Sequence, residues 1–209
     1  GGVRAVGSAL NRYVTVNRSS TNGLMNAMVM HVQANAAGQI QYYVDNVTRT
    51  SFVILGYWTT GTYVERFATV STTANSTWQT VNVAVGAGMV GEFVLSNRTT
   101  TDKYLGVREV GSTIDRRAYS RRPTSATANT VTMHSKVNAS NQVQLYLSDR
   151  ANSTVYYVGY WSASPEEQFT ELFSNIGKPT ADATWQDYNL SGCCGTGSPT
   201  AQSVAEVAF

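Results

Sequence analysis

The chain is written twice, and that repeat constrains its fold more than any other feature. Gly2-Val3-Arg4-Ala5-Val6-Gly7-Ser8 returns 104 positions later as Gly106-Val107-Arg108-Glu109-Val110-Gly111-Ser112. Met30-His31 returns as Met133-His134, and Gly56-Tyr57-Trp58 as Gly159-Tyr160-Trp161, each 103 positions on. A unit used twice supplies architecture or paired surfaces, whereas an active site is assembled once from unlike residues. The repeat therefore predicts two homologous domains, 1–95 and 96–209, of which the terminal strands can exchange between repeats or subunits.

The pattern within each copy is that of strands. Ala27 to Asn35 is a β-rich run, Ala36-Ala37-Gly38 turns it, and Gln39 to Asp45 places Ile40, Tyr42 and Val44 on one face, which predicts a hairpin. The second copy matches it with Thr130 to Asn138, a turn at Ala139-Ser140-Asn141, and Gln142 to Leu147. Asn141 stands where the first copy has Gly38, and these two residue types best tolerate a left-handed backbone. Phe52 to Trp58 and Val155 to Trp161 are continuous apolar runs suited to the centre of a sandwich, with a glycine that allows a bulge. Pro165 to Phe173, capped by Ser164, is the one helix candidate, while its counterpart Tyr63 to Val70 has a strand pattern, so both segments are read as strand or a short turn of helix. The fold class expected is all-β: two tandem β-sandwiches of jelly-roll or immunoglobulin-like topology.

Between the copies run Val90 to Leu95, a polar connection, and Tyr104 to Arg108, which predicts a pair of neighbouring strands. Val204 to Phe209 matches the first of these and Gly2 to Val6 the second. The expected assembly strands are therefore Gly2, Val3, Arg4 and Val6 at one end, with Val204, Glu206, Val207 and Phe209 at the other. They pair within one chain, closing a pseudo-twofold molecule, or between chains, giving a head-to-tail polymer.

Composition narrows the function classes. With 42% apolar and 11% aromatic residues the chain can bury real cores. Only 13% of residues are charged, about half the usual share, and Thr, Ser, Asn and Gly replace them. That balance suits an extracellular or particle-surface protein. A net charge of +2 argues against a sequence-specific or electrostatic nucleic-acid binder. Arg116, Arg117, Arg121 and Arg122 form one local basic cluster, read as a solvated loop or as a contact for an anionic partner. No apolar run approaches the roughly 20 residues of a membrane-spanning helix, and no basic-plus-apolar leader is present.

Chemistry-bearing residues are few. His31 and His134, separated by a whole domain, read as strand residues that share no metal. Glu65 matches Glu167 and Glu92 matches Glu206, without a poised acid and base between them. Cys193 and Cys194 are adjacent in a Gly/Ser loop; they read as ordinary thiols, or as an intermolecular crosslink, and supply no disulfide framework. No nucleophile elbow, phosphate loop or dinucleotide fingerprint occurs, so no enzyme activity, cofactor or metal is expected. Seven Asn-X-Ser/Thr triplets, at Asn17, Asn46, Asn75, Asn97, Asn138, Asn152 and Asn189, are glycosylation acceptors if the source glycosylates. Trp58, Trp78, Trp161 and Trp185 offer flat rings for stacking on sugars, against the simpler reading of the Gly-Tyr-Trp aromatics as core packing between sheets.

The duplicated Gly-Val-Arg-x-Val-Gly-Ser segment, the hairpin and the Gly-Tyr-Trp strand, set in a Thr/Asn/Ser-rich and lysine-poor chain, resemble the small β repeats of phage virion-surface proteins. Those include capsid decoration, head-fibre and tail proteins. Bacterial and archaeal surface filaments and adhesins are similar in style. The resemblance implies a non-enzymatic structural subunit on a virion or cell surface. Its partners would be copies of itself and other particle subunits, with repeated β-sandwich interfaces doing the work. The alternative is a tandem carbohydrate-binding or adhesin module.

Overall fold

The computed structural model describes residues 2–14, 29–32, 35–37, 39–43, 62–84, 87–120 and 128–162. All of these fall within one compact unit that ends at Phe169. The regular structure among them is β, apart from a single 3-10 turn at Arg150–Asn152. In chain order the strands are β1 (Gly2–Ala5), β2 (Ile40–Tyr43), β3 (Thr62–Val70), β4 (Trp78–Asn82), β5 (Val90–Asn97), β6 (Lys103–Arg108), β7 (Arg117–Ser120), β8 (Asn129–Lys136), β9 (Gln142–Leu147) and β10 (Ser153–Ser162). Eight of them form two four-stranded antiparallel sheets, ordered β3-β10-β5-β8 and β4-β9-β6-β7. β1 pairs with β2.

The two sheets face each other across one apolar core. Phe93 and Leu95 of β5, Met133 of β8 and Tyr157 of β10 meet Leu105 and Val107 of β6 and Val143, Leu145 and Leu147 of β9. The every-second-residue spacing of Val143, Leu145 and Leu147 is the alternation that puts one strand face inward. β5 is buried on its other face too: Val94 joins Val158 and Val14, with Met30, Phe67 and Tyr156 packed around them. The N-terminal segment thus covers the outer face of the first sheet. A strand covered on both faces reads as a near-continuous apolar run, and Val90 to Leu95 is such a run, interrupted by Glu92.

Two strand pairs expected to be neighbours are not paired. β5 pairs with β10 and β8, while β6 pairs with β7 and β9, so these sequence neighbours lie in facing sheets. β8 and β9 are likewise in different sheets, although the turn between them is built as expected. Asn138 Oδ1 accepts from the Ser140 and Gln142 backbone N–H groups, and Asn141 adopts φ +57°. Both connections carry the chain across the core, because strands buried as these are need cover from the opposite sheet more than a partner beside them. From β3 to β10 every connection crosses between sheets except β6 to β7.

The same finding removes the reason for pairing the terminal strands with each other. β5 and β6 supplied the pattern, and they are not paired. β1 has β2 on one edge, and its Gly2 lies so close to the backbone of Arg12 and Tyr13 that a Cβ would strike the Arg12 carbonyl. Gly106 of β6 meets the Arg116 carbonyl in the same way beside β7. Val204, Glu206, Val207 and Phe209 lie outside the described residues. So do Trp58, Trp185, Arg121, Arg122, Cys193, Cys194 and the helix candidate from Pro165. Position 95 falls inside β5, so the sandwich draws strands from both sides of the expected 95/96 division.

Positions one repeat apart make the same local bonds. Arg4 Nε and Arg108 Nε each donate to a glutamine on the neighbouring strand, Gln41 and Gln144, at 2.9 Å. Gly7 and Gly111 have φ of +84° and +88°, a conformation open to glycine at no steric cost. Asn35 Oδ1 accepts from Ala37 and Gln39 as Asn138 does from its own turn. Trp161 and Tyr160 follow the expected bulge: the β10 register shifts between Tyr157 and Gly159, and a methyl group at Gly159 would run into the Tyr63 hydroxyl.

Candidate functional site

The outer face of the first sheet carries a polar cluster beneath the N-terminal segment. Glu92 on β5 lies across from His134 on β8 in the strand register, and His31 reaches the same carboxylate from the covering segment. His31 Nδ1 stands 2.9 Å from Glu92 Oε1, and the His31 backbone N–H also donates to that oxygen at 3.2 Å. The Tyr63 hydroxyl, from β3, donates a short hydrogen bond to Glu92 Oε2. The His31 and His134 ring centroids are 5.3 Å apart, and the Trp161 ring lies 5.2 Å from His31 and 5.0 Å from Tyr63. The expectation that a whole domain separates the two histidines is therefore corrected: the covering N-terminal segment brings His31 to the carboxylate that His134 lies across from.

Behind the cluster stands a second layer. Arg12, 3% exposed, donates from Nη1 to the Val3 carbonyl at 3.1 Å and to Glu65 Oε1 at 3.0 Å, and from Nη2 to the Tyr63 hydroxyl at 2.9 Å. Both terminal nitrogens also reach the His31 carbonyl at 3.1 Å. Glu65 in turn accepts from the Ala5 backbone N–H at 2.6 Å. In the second copy Arg116 repeats half of this, donating to the carbonyls of His134 at 2.6 Å and Val107 at 3.3 Å. Arg116 is 5% exposed, which is at odds with its reading as a solvated loop residue: it donates to backbone carbonyls inside the fold. Arg117 is half-buried and pairs with Asp115.

The electrostatics follow from burial. Removing Glu92 from water pushes its carboxyl up, but the His31 hydrogen bond, the charges of His31 and His134, and the Tyr63 hydroxyl outweigh that and hold it below the usual carboxylate range. Burial and the neighbouring Glu92 charge push the Tyr63 phenol well up, so it keeps its proton and donates it to the carboxylate. Such a cluster can share a proton among Glu92 and the imidazoles, or present two nitrogens and an oxygen to a metal, for the donor atoms lie within 4.8 Å of one another.

A shallow groove of about 410 Å³ opens elsewhere, lined by Trp78, Tyr146, Arg108, Arg117, Asp115 and Thr113 among others. Trp78 Nε1 donates to Asp115 at 3.2 Å, and the Arg108 guanidinium lies 4.1 Å over the indole. Trp78 and Trp161 are both half-buried, and each ring is engaged by neighbours in the chain. Trp161 is not between the sheets, where the Gly-Tyr-Trp strand was expected to place it, but on the outer face beside His31.

The site residue with the least sequence signal was Glu92, visible only as a lone charge in an apolar strand. Arg12 and Arg116 were visible as charges, and their burial was not. The chain matches no protein-family model and no curated protein.

Proposed function

We propose that this protein is a non-enzymatic structural subunit, built from two homologous jelly-roll sandwiches, that assembles with copies of itself and with other subunits on a virion or cell surface. The observation that carries the reading is the interlacing: β3, β4 and β5 from the first copy of the repeat complete a sandwich with β6 to β10 from the second. A sandwich finished by the next copy extends from chain to chain by the same pairing, which is strand complementation used as assembly. The four-plus-four strand order and the near-constant alternation between sheets support the jelly roll over an immunoglobulin-like layout, and jelly rolls recur in capsid and lectin domains. In sequence, 2–58 carries the counterparts of β6 to β10, and 165–209 those of β3 to β5. We infer that these two halves join, in one chain or across two.

Two tyrosine pairs add contact surface. Tyr104 and Tyr119 face outward across β6 and β7, with rings 6.0 Å apart, and Tyr13 and Tyr43 do so beside β1 and β2 at 5.2 Å. Exposed tyrosines of this kind are enriched at interfaces. An enzyme is disfavoured because, among the described residues, the acidic and phenolic groups whose titration burial shifts, Glu92, Tyr63, Tyr157 and Asp149, do not line the Trp78 groove. A glycan-binding module remains the second reading, on the strength of that groove, where an indole and a phenol meet Arg108, Arg117 and Asp115.

Light scattering of the intact chain over a range of concentrations, beside a variant lacking residues 205–209, tests assembly. A mass that grows with concentration and collapses to folded monomer in the variant supports it. A monomer at every concentration, with indole fluorescence that responds to soluble oligosaccharides and loses the response in Trp78→Ala, transfers the conclusion to glycan binding.

A further inference from the structure

We propose that His31, His134 and Glu92 form a binding site for a divalent transition-metal ion of the zinc class, with one imidazole supplied by each copy of the repeat. The donor set is two borderline nitrogens and one carboxylate oxygen, which suits zinc, cobalt or nickel and not calcium or magnesium, whose sites are built from oxygens. The spacing suits it too. A tetrahedral ion with bonds of about 2.0–2.2 Å holds its ligand atoms roughly 3.4 Å apart, and the three donor atoms already lie within 4.8 Å of one another, with His31 Nδ1 and Glu92 Oε1 at 2.9 Å. An ion would replace the proton between those two atoms.

The surroundings are those of a built site. Metal ligands are held by outer hydrogen bonds that fix their orientation. Tyr63 fixes the second oxygen of Glu92, Arg12 grips the His31 carbonyl, and Arg116 grips the His134 carbonyl. Glu92 is fully buried, and a bound cation would balance its charge in place of the charged imidazoles. The His31 side chain is 23% exposed while Glu92 is sealed, which leaves a way in from the His31 side and a coordination position for water. Three protein ligands and one open position describe many zinc centres.

The test is titration of chelator-treated full-length protein with zinc by calorimetry, and with cobalt followed by its visible absorption. The expected result is a single ion per chain and cobalt bands of a low-coordinate nitrogen-oxygen site. His31→Ala and His134→Ala should each weaken zinc by more than about 100-fold, beyond the 10–100-fold typical of an outer-layer change such as Tyr63→Phe. Circular dichroism of each metal-free variant confirms that it is folded. His31→Ala, at the exposed edge, is the variant least exposed to a folding defect. A Cys193→Ser/Cys194→Ser variant should bind zinc as the parent does. Zinc binding that survives both histidine changes, that is lost with the cysteines, or that is missing from the folded parent overturns the assignment.

Discussion

Replacing Tyr63 by phenylalanine removes one oxygen atom from the buried polar cluster and leaves the packing nearly intact. The hydroxyl donates to Glu92 and accepts from Arg12 at 2.9 Å, and both of these partners are charged and buried, at 0% and 3% exposure. A hydrogen bond to a charged group contributes about 1.5–3 kcal/mol. The two losses are unequal. Arg12 keeps the Val3 and His31 carbonyls and Glu65, whereas Glu92 Oε2 is left with the His31 backbone N–H at 3.4 Å. The carboxylate bond therefore dominates, and the expected loss is roughly 2–4 kcal/mol. Urea unfolding at neutral pH, followed by circular dichroism, should show the midpoint fall with an unchanged slope. Tyr104→Phe, on an exposed ring, is the control and should stay within about 0.5 kcal/mol of the parent. In a double-mutant cycle with Glu92→Gln the two changes should couple by roughly 1–3 kcal/mol. A Tyr63→Phe loss below about 0.5 kcal/mol would refute the view that the phenol is needed to satisfy the buried carboxylate.

Leu145 is fully buried where the two sheets meet, so Leu145→Ala should cost about 2.7–5 kcal/mol of unfolding free energy, read in the same urea experiment. Asn141 combines φ +57° with a side-chain oxygen that accepts from the Ala87 N–H at 2.9 Å; Asn141→Ala should cost about 1–2 kcal/mol, and Asn141→Gly clearly less, as thermal melts would show. Partial burial pushes the Asp149 carboxyl up, but its bonds from Asn152 and the nearby Lys103 charge outweigh this and hold it below the usual range. Its stabilising contribution is therefore present above the unfolded value of about 3.9 and lost as pH falls through the lower folded value. The stability gap between the parent and Asp149→Asn should be constant near neutrality and close in acid; a gap that widens as pH falls below about 4 would reverse that sign.

Local chemistry was legible in the sequence and strand partnership was not. The turn at Asn141, the bulge at Gly159 and the inward row Val143, Leu145 and Leu147 follow from backbone preference and alternation, which act over a few residues. Whether the chain leaving β5 turns back beside it or crosses to the facing sheet depends on what covers both faces of β5, and that cover comes from Val14 and Met30 on one side and from β6 and β9 on the other, most of it far away in sequence. The uninterrupted apolar character of Val90 to Leu95, apart from Glu92, was the one local hint that this strand lies in a sheet centre. The meeting of His31 with His134 was hidden for a related reason. A separation of 103 residues looks like distance, yet equivalent positions of a duplicated unit are the ones that interlaced copies can bring together. Burial of Arg12 and Arg116 was likewise invisible, since composition counts a guanidinium as surface unless its acceptors are known.

The interlacing also sets a timetable for synthesis. β10 lies between β3 and β5, and about eighty residues separate the end of β3 from the start of β10. At about 5–20 residues per second, the strands made first wait roughly 4–16 s on the ribosome for the one that joins them. During that interval the apolar run from Val90 to Leu95 is a nascent edge with no finished sheet to enter, and on a polysome the nearest matching strand can belong to another chain. If chains assemble as proposed, the spacing of ribosomes on the message would then bear on whether they pair during synthesis or afterwards.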